Sequence, residues 1–124
     1  MSDERPFADD PIVYLSAELQ SRRARRANYS LRAFARDLHL SPSTVSEILS
    51  GKVGLSPMKS RLVAKLLKLP SPHDEHFCDL ISAKHARSDI ERRSAQKRAT
   101  NRLQASGAFD SERKESLGPD DGKG

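Results

Sequence analysis

Three groups of side chains in this sequence have the types and spacing to do chemistry. The first is His73-Asp74-Glu75-His76, with Cys78 close behind. These are metal-ligand types, but zinc sites usually take ligands from two separated pairs. The second pair is missing, since His39 and His85 stand alone. His73 and His76 also follow a helix start, on a turn expected to face water, so no metal and no cofactor are expected. The second group is Ser-Pro, which occurs at Ser41, Ser56 and Ser71. It is either a set of phosphorylation sites or a set of helix starts. A phosphate at Ser41 would repel any polyanion bound there. The third group is basic: Arg22, Arg23, Arg25 and Arg26 in one run, then Arg32, Lys52, Lys59 and Arg61. A glycine-rich phosphate loop, a nucleophile elbow and a paired-carboxylate pocket are all missing from the pattern, so no enzyme is expected.

The basic residues are concentrated. Residues 21–70 hold eleven Lys and Arg against Asp37 and Glu47, whereas residues 1–20 hold Arg5 against five acids. A central positive segment beside acidic and neutral flanks predicts a polyanion partner. Hydrophobic residues make up 35% of the 124, enough for one small core with tails. No apolar run approaches the ~20 residues of a membrane helix, so no membrane partner is expected. No small-molecule ligand is evident either. The acidic start "MSDERPFADD" has no apolar signal core, and Cys78 is the one cysteine. Both features fit a reducing, cytoplasmic setting. On an apolar helix face, Cys78 reads as a small core residue.

The elements that must position these groups read as helices. Ser is a favoured N-cap, and Pro suits the first helical position because its missing N–H is not needed there. Each Ser-Pro precedes apolar residues at helical spacing. After Ser41 these are Val45, Ile48 and Leu49; after Ser56, Met58, Leu62, Val63, Leu66 and Leu67; after Ser71, Phe77, Leu80 and Ile81. Asp10-Pro11 makes a start of the same kind, and Ser30 caps a short helix carrying Phe34, Ala35 and Leu38. Five helices are predicted, near 11–26, 31–38, 42–50, 57–68 and 72–88, the last running on to about Leu103 if nothing breaks it. The units after Ser-Pro share only the cap, which argues against a repeat protein. Residues 1–9 are expected to be flexible, and so is the Gly-, Ser- and Asp-rich tail 106–124. Between them lie a domain over 10–70 and an additional helix or helices over 71–105.

The second and third predicted helices, "SLRAFARDLHLSPSTVSEILSGK", are each too short to bury themselves and must cross. Phe34, Leu38, Leu40, Val45 and Ile48 are apolar where a crossing pair needs contact, and Ala35 is small where the helices approach. This pattern resembles the helix-turn-helix of the phage-repressor and Cro-like family. His39 stands where that family usually has Gly, in a turn that wants a positive φ. The resemblance covers about residues 10–70 and implies an all-α, five-helix lambda-repressor-like domain. More narrowly, "YSLRAFARDLHLSPSTVSEILSGKVGLSP" with "FCDLISAKHARSDIERRSA" resembles a poorly characterised bacterial family. There, a helix-turn-helix precedes a C-terminal domain of unknown function, so this chain would be a short or truncated member.

The resemblance implies a DNA-binding regulator of transcription whose helix at about 42–50 enters the major groove. Base-contacting candidates are Ser43, Thr44, Ser46, Glu47 and Ser50. Ser and Thr discriminate weakly, and Glu47 can accept from a cytosine amino group or pair with a nearby cation. Phosphate-contacting candidates are Arg32, Ser41, Lys52, Lys59 and Arg61, together with helix-start amides near Ser43 and Met58. Arg22 and Arg23 are expected to be solvated surface residues. The last predicted helix can pack back on the domain or pair with a second copy, and a homodimer suits a groove-reading helix. The rival reading is a protein-interaction or antitoxin-like helical module without DNA contacts. Single-stranded RNA readers rely on an aromatic stacking platform that is missing here.

Overall fold

Residues 6–105 are described by a computed structural model; residues 1–5 and the tail 106–124, both expected to be loose, lie outside them. The described residues form six helices and no strand: α1 (Pro11–Arg25), α2 (Leu31–Asp37), α3 (Pro42–Leu49), α4 (Pro57–Leu66), α5 (His73–His85) and α6 (Asp89–Ala105). Four of the expected caps are in place. Asp10 accepts from the Ile12 amide at 2.9 Å, Ser30 from Ala33 at 3.0 Å, Ser41 from Thr44 at 3.1 Å and Ser56 from Lys59 at 3.2 Å.

Ser71 does not act as the cap expected of it. The helix starts later, at His73, with no side-chain cap. The Pro70 carbonyl instead accepts the first free amides, from His73 at 2.7 Å and Asp74 at 3.2 Å. The predicted continuation to Leu103 is also interrupted. The chain leaves the helix at Ala86 and starts again under Ser88, whose hydroxyl accepts from the Glu91 amide at 3.1 Å. Ser88-Asp89-Ile90-Glu91 has the spacing of a capping box.

The core joins Tyr14, Leu15 and Leu19 of α1 to Phe34, Ala35 and Leu38, to Val45 and Ile48 of α3, to Val63 and Leu67, and to Phe77, Leu80 and Ile81 of α5. The expected face of α4 is turned. Met58 is 78% exposed and Leu62 40%, while the smaller Ser60 and Ala64 are buried with Val63 and Leu67. Small side chains let α4 come close to the α5 backbone, and the Ser60 hydroxyl is aimed at the Leu55 carbonyl, 3.5 Å away.

The α6 helix returns along α5, burying Ala95 and Ala99. Charged side chains join it to α5 as well. Asp79, itself buried, accepts from Arg98 at 3.0 and 3.1 Å and from Arg102 at 2.7 Å. The last long helix of the domain therefore packs back on it as a hairpin with α6. Between α4 and α6 lies a trough of about 820 Å³ lined in part by Arg61, Lys65 and Cys78. Burial pushes the Cys78 thiol up to about 11, which leaves it neutral.

His73 and His76 are not exposed as expected; both are buried, His76 completely. Phe7 and Ala8 lie against them, the Phe7 ring tilted at 4.7 Å from the His73 ring and 4.8 Å from the His76 ring. His73 Nδ1 and the Tyr14 hydroxyl share a 2.7 Å bond. His76 Nε2 meets the Ala8 carbonyl at 2.7 Å, and because a carbonyl only accepts, that nitrogen carries the proton. Burial lowers the pKa of His76 and keeps the ring neutral.

Arg22 is a structural hub, not the solvated residue expected. Its side chain is 14% exposed and pairs with Glu18 at 2.7 Å. It also donates to the Tyr29 hydroxyl at 3.2 Å and to the Leu66 carbonyl at 3.1 Å. The guanidinium lies 5.6 Å from the centre of the Phe34 ring. Tyr29 in turn donates to Asp37 at 2.6 Å; that bond, with the charges of Arg36, Arg22 and Arg26, holds the Asp37 carboxyl below its ordinary value. The set ties α1, α2 and the end of α4 together.

Candidate nucleic-acid interface

The α2–α3 turn is fixed by the backbone. His39 has φ of 60° and donates to the Arg36 carbonyl at 3.1 Å, and Leu40 donates to the Ala35 carbonyl at 2.9 Å. This is a Schellman ending, which needs a left-handed residue at its centre. His39 supplies the positive φ that the sequence called for, with an exposed side chain. A left-handed conformation costs a side-chain-bearing residue ~1–2 kcal/mol, partly offset in Gly by its freer unfolded chain. His39→Gly is therefore expected to stabilise the fold by ~0.5–1 kcal/mol, read as a higher urea midpoint; a lower midpoint would contradict this account of the turn.

Beneath the turn, Phe34, Ala35, Leu38, Val45 and Ile48 are buried as expected, and Leu40 packs half-buried against them. This contact sets which side of α3 faces out. Ser43, Ser46, Glu47 and Ser50 are exposed, and Thr44 is half-buried. The candidates differ in what remains available. Thr44 Oγ1 accepts from the Ser41 hydroxyl at 2.8 Å, and the Ser50 hydroxyl donates to the Glu47 carbonyl at 2.8 Å. Among the described residues no Lys or Arg pairs with the Glu47 carboxylate, which leaves it open as an acceptor. The Ser43 hydroxyl shares a 3.3 Å bond with that of Ser41, so Ser46 and Glu47 form the freest part of this face.

The phosphate candidates do not form one group. Arg32 is exposed on the first turn of α2. The Ser41 hydroxyl proton is engaged by Thr44, so Ser41 can donate to a phosphate only by giving up that bond. Lys52 follows a second Schellman ending: Gly51, with φ of 83°, donates to Ile48 at 3.0 Å, and Lys52 donates to Glu47 at 3.0 Å. Lys59 is exposed beside the Ser56 cap. Arg61 lies about 200° round the helix from Lys59 and lines the trough with Cys78 and Arg98. Lys52 and Lys59 thus flank the start of α4, while Arg61 lines the trough on its other side.

Sequence reasoning missed what supports Lys52. A β-carbon added to Gly54 would meet the His85 ring at 2.5 Å and the His85 β-carbon at 2.7 Å. The loop after α3 therefore rests on the last turn of α5. Nothing local marked this contact, because the partners lie 31 positions apart.

A family model described as a helix-turn-helix domain matches residues 15–77. That span takes in the α2–turn–α3 pair and ends inside α5, leaving α6 outside it. No match was found among curated proteins or solved structures.

Proposed function

The chain belongs to the helix-turn-helix domain family, and from that premise we propose that it binds double-stranded DNA and acts in transcriptional control, with α3 in the major groove. The observation that carries this reading is the α3 face. Its buried side is fixed by Val45 and Ile48, and its first two turns present Ser43, Ser46 and Glu47 to solvent. Lys52 and Lys59, both exposed and without an ion-pair partner among the described residues, support the reading as cations free to meet phosphates. Base reading rests on hydroxyls and one carboxylate, so sequence preference is modest.

The test is retardation of random duplex DNA across salt concentration. Lys52→Ala with Lys59→Ala is expected to weaken binding to every sequence and to flatten the slope of log affinity against log salt by ~1.8, about 0.9 per phosphate. If the unaltered chain fails to retard random duplex at low ionic strength, the reading fails. A second reading, a protein-interaction module, draws on the exposed pair Met58 and Leu62 on α4. It predicts a partner whose binding survives the two Lys changes. A non-catalytic role, a cytoplasmic setting and assembly as a homodimer complete the proposal.

A further inference from the structure

The geometry points to a further backbone-phosphate contact, made by Arg87 at the corner between α5 and α6, outside the matched span. It rests on the DNA reading above and extends the same surface. The corner adjoins both elements already assigned to phosphates. His85, two residues before Arg87, is packed directly on Gly54, two residues after Lys52. Just past the corner, Ile90 and Glu91 line a cleft of about 270 Å³ together with Pro57, the first residue of α4. The corner that carries Arg87 therefore adjoins the loop after Lys52 and the first residue of α4.

The corner is also built to hold its shape. Arg92 donates to the carbonyls of Ala86 at 2.7 Å and Arg87 at 3.3 Å, and it pairs with Asp89. Ser88 caps the next helix. A cation on fixed backbone loses less freedom when it binds. Neighbouring cations are already engaged: Lys84 by Asp10 at 3.0 Å and Arg98 by Asp79 at 3.0 Å. Arg87 is exposed and has no ion-pair partner among the described residues. Of the nearby acids, Asp89 is neutralised by Arg92, and Glu91 shares its cleft with Arg61 and Arg98. Arg93 and Lys97 are exposed on the side of α6 opposite the buried Ala95 and Ala99, away from α5, and serve as the comparison.

The experiment measures duplex affinity between 50 and 200 mM salt for the full chain, Arg87→Ala, Arg87→Lys and Lys97→Ala. Arg87→Ala should flatten the log–log slope by ~0.9. Arg87→Lys should restore it, and Lys97→Ala should match the unaltered chain. Equal slopes for Arg87→Ala and Lys97→Ala would overturn this contact while leaving the DNA reading standing. Absence of duplex binding by the unaltered chain would remove both.

Discussion

Val45→Asp is expected to leave the chain without a cooperative unfolding transition in water. Val45 is 2% exposed and lies in the core with Phe34, Ala35, Leu38 and Ile48. Losing its burial costs ~1.5–3 kcal/mol. The carboxyl that replaces it has no buried cation to pair with, because the core around α3 is apolar. It must either be buried charged or take up a proton. Keeping a carboxyl protonated at pH 7 means raising its pKa by about three units, which costs ~4 kcal/mol at 1.36 kcal/mol per unit. The two costs together reach the lower part of the 5–15 kcal/mol that a domain typically has. Val45→Ala is the control: it removes the same contacts without the charge and should cost ~1–3 kcal/mol while keeping the transition. Urea melts followed by circular dichroism separate the two. A Val45→Asp transition within 1 kcal/mol of the unaltered chain would show that α3 is not anchored as described.

The second large effect is regional. Asp79→Ala should release α6 while α1 to α4 stay folded. Between α5 and α6 the buried side chains of α6 are only Ala95 and Ala99, with Leu103 half-buried. Apolar burial therefore contributes little, and the three bonds from Arg98 and Arg102 to Asp79 hold a large share of the docking. Breaking a fully buried pair costs ~3–5 kcal/mol. Arg98 is half exposed and recovers water, so ~2 kcal/mol is expected here. That is enough to undock a helix whose isolated form is marginal. Amide exchange in 89–105 should accelerate at least tenfold while Phe34 and Val45 keep their protection. Unchanged exchange in α6 would show that the alanines, not the charges, hold it.

Local rules carried much of the fold. Ser41 and Ser56 were legible as caps because a cap is a matter of four consecutive residues. The same reasoning failed at Ser71, where Pro70 supplies the acceptor by backbone geometry that the dipeptide does not encode. The Ser88–Glu91 box was written in the sequence, but it stood in a run that otherwise reads as one continuous helix. Apolarity marked Met58 and Leu62 as candidates for burial, yet it does not say from which side a neighbour will come. The approach of α5 selected Ser60 and Ala64 instead. Arg22 looked like one more cation in a basic run because its partners, Tyr29, Asp37 and the Leu66 carbonyl, are brought to it only by folding. At the site, residue type and spacing located the exposed side of α3. Helical spacing alone separates Lys59 from Arg61, but that Arg61 faces a trough shared with α6 is recorded in no short stretch.

Three helices end in the same way. His39 after α2, Gly51 after α3 and Lys68 after α4 all take positive φ, and each is followed by a residue whose amide reaches back five positions. All three are exposed. Exposure ordinarily means freedom to vary. Here the surface hides three positions where mutational tolerance is set chiefly by the backbone: Val, Ile and Thr are barred by their branching and Pro by its fixed φ, and a β-carbon at Gly51 would meet Ile12 only at 4.0 Å. In a saturation scan these positions would show a narrow acceptable alphabet of Gly, Asn and a few unbranched residues, resembling buried sites without being buried.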